Sequence, residues 1–157
     1  MSKKQVKTNG YAFGNLDDDL YTSGIGSCVV MVVWEPLEKI GSLSHMSLPL
    51  TALIPENGKM GKNPTKTIPY IIQAMMSRGA KKELMQVSLF GGGDLFNSTE
   101  SMNIGAKLIL EAKKCLTCLG IDLKNEDTGG SVGRAVSLKV SNGQITVDRL
   151  DGMSILF

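Results

Sequence analysis

The chain of 157 residues, 42% hydrophobic and 20% charged, has the size and composition of one globular domain that can bury a core without staples. A net charge of +2, without a long block of like charges, argues against a nucleic-acid surface. The polar start holds no apolar run of signal-peptide length and no later segment approaches a membrane span, so no direct membrane insertion is expected.

Residues 1–9 are expected to form a loose terminus, with Lys3, Lys4 and Lys7 solvated. Short strands over 11–16 and 20–23 flank Asp17-Asp18-Asp19, read as a solvated turn. The apolar, β-branched run 28–34 predicts a buried strand. A polar turn over 35–39 containing Pro36 follows, and then a second strand over 40–48. Pro55, Gly58, Gly61 and Pro64 mark 50–64 as an exposed loop. Ile68, Ile71, Ile72, Met75 and Met76 fall at helical spacing, which predicts a helix over 68–77 stopped at Gly79. A strand over 84–90 runs into Gly91-Gly92-Gly93-Asp94. A second helix over 103–119 carries an apolar stripe that includes Leu108, Ala112, Cys115 and Leu116, and Gly120 ends it. A strand over 121–124 precedes the polar turn Glu126-Asp127-Thr128-Gly129-Gly130. Asn142-Gly143 between alternating runs over 135–140 and 144–150 predicts a hairpin with a primed turn. Without an internal repeat or boundary, this order describes a single α+β domain over 1–157.

The chemistry concentrates in Thr22-Ser23-Gly24-Ile25-Gly26-Ser27-Cys28. Glycines and small hydroxyl residues lead into a cysteine at the mouth of a buried strand, with backbone N–H groups just before it. The three cysteines are odd in number, which suits a reducing cytoplasm better than a disulfide framework. The single histidine, His45, must supply any imidazole chemistry. If strands 28–34 and 40–48 form an antiparallel hairpin centred between Pro36 and Leu37, Cys28 lies directly opposite His45. Their Cβ atoms would then be about 4.5–5.5 Å apart on one face. A one-residue slip would send the two side chains to opposite faces. A charged imidazole beside Cys28 would raise its thiolate fraction. The alternative is a buried apolar cysteine with a histidine at the core edge.

Other motifs carry weaker signals. Cys115-Leu116-Thr117-Cys118 has C-x-x-C spacing but lies within a helix, away from a thioredoxin-like setting, and the chain lacks spare ligands for a zinc site. Phe90, Gly91, Gly92, Gly93 and Phe96 follow a strand without the Gly-Lys-Ser/Thr ending of a phosphate loop. They are candidates for an active-site wall or partner contact, and Asp94 for a turn residue. The carboxylates of Glu126 and Asp127 suit a solvated turn.

Taken together, these pieces resemble the CheD family of bacterial chemoreceptor glutamine deamidases. The likeness lies in Thr22-x-Gly-x-Gly-Ser-Cys28, Gly41-x-x-x-His45-x-x-x-Pro49, the glycine run after Phe90, Asn103-Ile104-Gly105-Ala106, and Glu126-Asp127-Thr128-Gly129-Gly130. The resemblance implies a β-sandwich flanked by two main helices, related to deamidating bacterial toxins. It implies Cys28 as nucleophile, His45 as general base and Thr22 as the third member of the site. Backbone N–H groups around Gly26 and Ser27 would serve the oxyanion. Receptor glutamines are the implied substrates; some members also act on glutamate methyl esters. A CheC-type phosphatase of the response regulator is the implied partner, the cytoplasm the implied compartment, and neither metal nor organic cofactor is needed. One position departs: where the family usually has Tyr-x-Asp before the first helix, this chain has Asn63-Pro64-Thr65, which bears on substrate or partner preference. The rival readings are a non-catalytic regulator that binds a CheC-type phosphatase or a receptor helix, and a cysteine peptidase or amidase with another substrate.

Overall fold

The backbone of 29–33, Val-Val-Met-Val-Val, is buried on both faces, as β-branched runs are when a sheet is covered on each side. In the computed structural model, which describes residues 2–50 and 60–157, this run is the central part of β4 (Val29–Glu35). Around it lie β2 (Tyr11–Gly14), β5 (Ile40–Met46), β6 (Gln86–Gly91) and β7 (Leu123–Thr128), in the order β2-β5-β4-β6-β7. A second sheet, β1-β3-β8-β9-β10, contains β1 (Ser2–Gln5), β3 (Asp18–Ile25), β8 (Arg134–Lys139), β9 (Gln144–Arg149) and β10 (Ser154–Leu156). Val30 and Val32 meet Leu20, Ile25, Val136, Leu138 and Val147 between the sheets. Val29, Met31 and Val33 point the other way, onto α1 (Pro64–Ser77) and α2 (Ile104–Cys118). The molecule is therefore an α+β sandwich with both helices on one outer face.

Helix α1 begins earlier than its apolar periodicity suggests. Asn63 is its N-cap, accepting the Lys66 N–H at 2.9 Å, and Pro64 occupies the first turn, where its missing donor costs nothing. Asn63-Pro64-Thr65 thus opens a helix, and Gly61, Asn63 and Pro64 are buried rather than in an exposed loop. Pro55 and Gly58, assigned to the same loop, lie outside the described residues. On α2, Glu111 accepts the N–H groups of Leu50 and Thr65 at 2.8 and 3.0 Å, tying the two helices together at the start of α1.

Four further expectations are corrected. Residues 2–5 are not loose: β1 pairs in parallel with β3, and Val6 is buried. Asp18 is not a solvated turn residue but a buried one in β3, accepting the Asn15 N–H at 2.9 Å and pairing with Lys4 at 3.3 Å. Glu126, Asp127 and Thr128 are the end of β7, which pairs in parallel with β6 across the α2 crossover. The 8–9 hairpin has no primed turn. Lys139 pairs with Gln144 and only Gly143 has positive φ, at 76°. The loop therefore spans the four residues 140–143 rather than the two of a primed turn.

Gly105, in the first turn of α2, packs directly on backbone: a Cβ there would lie 2.5 Å from the carbonyl oxygens of both Gly92 and Gly93. Gly105→Ala must push the helix off this backbone and is expected to lower unfolding free energy by about 1–3 kcal/mol, as overpacking does. Urea denaturation of the two proteins measures the difference.

Candidate functional site

Thr22 and His45 come from different sheets and meet in the buried space between them. The Thr22 Oγ1 hydroxyl donates to the Val6 carbonyl at 2.6 Å and lies 2.7 Å from His45 Nδ1. A hydroxyl has one proton, and a carbonyl can only accept, so that proton is committed to Val6. His45 Nδ1 must then carry hydrogen and donate to Thr22, which leaves Nε2 with a free lone pair. Nε2 is buried without a hydrogen-bond partner among the described residues. The His45 backbone is pinned as well, its N–H donating to Gly10 at 3.0 Å and its carbonyl accepting from Asn9 at 2.7 Å. Residues 6–9, expected to be part of a loose terminus, are with Gly10 the support on which the imidazole is held.

The β4–β5 hairpin has a different register from the one expected. His45 is opposite Val30, not Cys28, and Glu35 pairs with Ile40, leaving Pro36 to Lys39 as the loop. The turn centre moves by one residue because Glu35 belongs to the strand. Its carboxylate accepts the N–H groups of Leu37 and Glu38 in the turn, and that of Lys81 at 3.1 Å. A shift of one residue in the turn centre moves every partner by two, so the face is kept. Cys28, just before β4, packs in the same inter-sheet cluster as Val30. It and His45 are therefore diagonal neighbours on one face, a separation of about 7–8 Å between backbone positions.

Ahead of Cys28 the chain makes an irregular step. The β3–β8 register shifts between Thr22 and Ile25, where Gly24 has φ 67°. Such a bulge re-aims the chain that follows. Ser27 is exposed and Cys28 half-buried, with its own backbone N–H turned toward the thiol. Burial pushes the Cys28 thiol up and the His45 imidazole down from their ordinary ranges. The resting pair is accordingly a neutral thiol and a neutral imidazole, not the ion pair expected from a charged histidine beside cysteine.

The glycine run is buried within the fold. Phe90 is fully buried with its ring against Phe157, and Gly91, Gly92 and Gly93 are buried too. Their task is to hold the cysteine loop. Gly92 N–H donates to the Cys28 carbonyl at 2.7 Å and Gly93 N–H to the Gly26 carbonyl at 2.9 Å. Gly91, at φ 100°, lies so close that a Cβ there would be 2.3 Å from the Cys28 carbonyl oxygen. Only Phe96 of the expected contact residues is open, at 89% exposure, and with Leu95 and Met102 it forms an apolar lip. The lip borders a shallow cavity of about 200 Å³ that Ser27, Gly93 and Asn103 also line. Asp94 accepts the Ser98 N–H at 2.7 Å and shapes this loop as a turn residue.

Sequence reasoning missed Arg134, which is almost fully buried and donates to Asp127, Gly91 and Gly129. Its signal is an arginine at the first position of an otherwise alternating strand, just after Gly133. Cys115 remains part of the helix packing, its thiol 3.7 Å from the Pro64 carbonyl, and Cys118 is exposed. No cluster of three or more His, Cys, Asp or Glu side chains suited to a metal ion occurs among the described residues. Nor is any described helix long and apolar enough to cross a membrane.

The family model described as CheD chemotactic sensory transduction matches residues 48–149. A chemoreceptor glutamine deamidase CheD of Thermotoga maritima is 32% identical over 150 residues, 96% of this chain and 94% of its own. The chain belongs to the CheD family. A probable chemoreceptor glutamine deamidase CheD of Pyrococcus horikoshii is 32% identical over 152 residues, covering 96% of this chain and 94% of that one. One from Caldanaerobacter subterraneus subsp. tengcongensis is 34% identical over 131 residues, covering 82% and 81%. The CheD family model begins after His45, whereas the longer likenesses, at 96% of the chain, take in the segment from Thr22 to His45.

Alkylation of Cys28 by iodoacetamide, followed on its own peptide by mass spectrometry, reports the protonation of the resting pair. With the thiol raised above its ordinary value of about 8.5, the rate is expected to keep rising above pH 9. A plateau already reached near neutral pH would instead mark a preformed ion pair.

Proposed function

We propose that this chain is a protein-glutamine deamidase that converts glutamine side chains of methyl-accepting chemoreceptors to glutamate, with Cys28 as nucleophile and His45 as general base. The substrate class comes from the names of its relatives, chemoreceptor glutamine deamidases. The observation that carries the chemistry is the His45 tautomer. Thr22 fixes hydrogen on Nδ1, so Nε2 is the basic atom, on a residue that shares a strand face with Cys28.

In the resting state thiol and imidazole are both neutral, so His45 acts first as a base. It takes the Cys28 proton on Nε2 as the sulfur attacks the substrate carboxamide carbon; such contacts often tighten only once substrate is bound. The oxyanion is placed near the backbone N–H that already faces the thiol, with those of Gly26 and Ser27 beside it. The imidazolium then returns the proton to the departing ammonia, leaving a thioester. Water, deprotonated by His45, hydrolyses this to a carboxylate and restores the thiol. Thr22 is a positioning residue: it keeps the lone pair on the correct nitrogen and accepts the Nδ1 hydrogen throughout.

A nucleophile beside an exposed apolar lip and a shallow hollow suits a side chain presented by another protein. A small molecule would be enclosed in a deep cavity. Three unpaired thiols suit the cytoplasm. A CheC-type phosphatase is the regulatory partner implied by the family likeness.

Incubation with receptor fragments tests this reading. Wild-type protein is expected to release ammonia and add about one dalton per target glutamine without cutting the chain, the balance of amide-to-acid exchange. Cys28→Ala should abolish both signals, and His45→Ala should lower kcat by about 10²–10⁴ in a folded protein. A Cys28→Ala protein with the wild-type rate would remove the proposal and favour the non-catalytic regulator.

The pH profile follows from burial of His45. The base works only when neutral, and its pKa lies below the ordinary imidazole value of about 6.5. Activity is therefore expected to be retained through neutral pH and lost on acidification, with the acid limb of kcat/KM centred below about 6.5. Steady-state rates from pH 4.5 to 8 measure it, as about the range in which imidazoles titrate.

A further inference from the structure

Arg134 is an odd choice for its position. It is 3% exposed, it opens β8, and its direct cross-strand partner on β9 is another arginine, Arg149. Like charges facing each other weaken a sheet, and a well-packed apolar side chain of similar volume is usually as stable as a buried ion pair or more so. Sheet stability therefore does not account for this arginine. Its donors show what it holds. Nε binds Asp127 Oδ2 at 3.0 Å, Nη2 the Gly129 carbonyl at 2.8 Å, and Nη1 the Gly91 carbonyl at 3.4 Å.

Each of these contacts leads toward the nucleophile. Gly91 precedes the two amides that hold the Cys28 and Gly26 carbonyls. The Gly91 carbonyl also accepts the Gly129 N–H at 2.8 Å, and Asp94 N–H binds the Gly130 carbonyl at 2.8 Å. The end of β7 and the glycine run are thus fastened together, and Arg134 spans both. Arg134 is itself paired across the ladder with Ile25, the last residue of β3 before the cysteine loop. One guanidinium therefore links the strand that enters the loop to the backbone that holds it from behind.

We propose that Arg134, held by Asp127, is a positioning residue for the Cys28 loop. Its grip on the Gly91 and Gly129 carbonyls sets the glycine run, and the run sets the plane of the Gly26–Cys28 backbone whose N–H groups meet the oxyanion. The inference rests on Cys28 being the nucleophile. It assigns Arg134 no contact with substrate and no effect on the thiol charge, since burial, and not a neighbouring cation, governs that thiol.

Full-length Arg134→Gln, Arg134→Lys and Asp127→Asn are compared with wild type by amide hydrogen exchange and by kinetics on receptor fragments. Asp127→Asn, which keeps the guanidinium, serves if Arg134→Gln fails to fold. In the folded variants, exchange at Gly92 and Gly93 is expected to accelerate by about tenfold or more while β9 amides keep their protection. In kinetics, kcat should fall by about 10²–10³, the cost of a displaced oxyanion donor, with little change in KM. Alkylation of Cys28 should stay near the wild-type rate, which loss of global structure would not allow. Arg134→Lys, which keeps the charge but not the forked grip, should behave like Arg134→Gln. Wild-type exchange at Gly92 and Gly93, an unchanged kcat, uniform acceleration across both sheets, or full activity with lysine would each overturn the proposal. Wild-type protein inactive on receptors, but with variants that loosen Gly92 and Gly93 alone, would overturn the deamidase reading and leave the positioning role standing.

Discussion

The hydrogen bond between Thr22 and His45 is the point at which the two sheets become one site. Neither strand could determine the imidazole by itself: β5 carries the ring, β3 carries the hydroxyl, and the Val6 carbonyl removes the only proton that hydroxyl could offer. Three groups from separate parts of the chain thereby choose a tautomer. The choice depends on sandwich spacing and on the packing of Val30, Leu20, Ile25 and Leu43 that sets it. The apolar core acts on the chemistry in a second way, because the same burial that stabilises the sandwich keeps both His45 and Cys28 neutral at rest.

Behind the cysteine loop, close backbone packing does the work that side chains do around His45. Glycines 91 and 105 let the cysteine loop, the glycine run and the start of α2 pass at distances that a Cβ would forbid. The thiol is thus carried on a short irregular segment supported by hydrogen-bonded backbone and by a buried guanidinium. Beside this segment Leu95, Phe96 and Met102 are exposed.

Several expectations failed in ways that share one cause. Residues 1–9 are polar and short of hydrophobic pattern, yet 2–5 form a strand and 6–10 hold Thr22 and His45, because an edge strand can be held by its backbone bonds. Glu126 and Asp127 look like turn residues, but a parallel strand beside β6 recruits them, and Arg134 gives the Asp127 carboxylate a buried partner. The glycine run looks like a ligand loop because glycine permits close approach; what approaches is the chain itself. Local composition cannot distinguish these cases, since the deciding partner is distant in sequence.

By itself the sequence determined the strand at 29–33, the apolar faces of both helices, and His45 as the one imidazole on the strand beside it. These follow from period, from β-branched composition and from the scarcity of imidazole, all of which are local or countable. It also kept Cys28 and His45 on one face despite a wrong register, because parity survives a shift of two. Only the tertiary structure decided which nitrogen of His45 is held by Thr22, that burial pushes the Cys28 thiol up and the imidazole down, and that Arg134 stands behind the cysteine loop. Each of those depends on burial and on hydrogen-bond partners contributed by strands far apart in the chain, and such partners exist only once the two sheets have closed on each other.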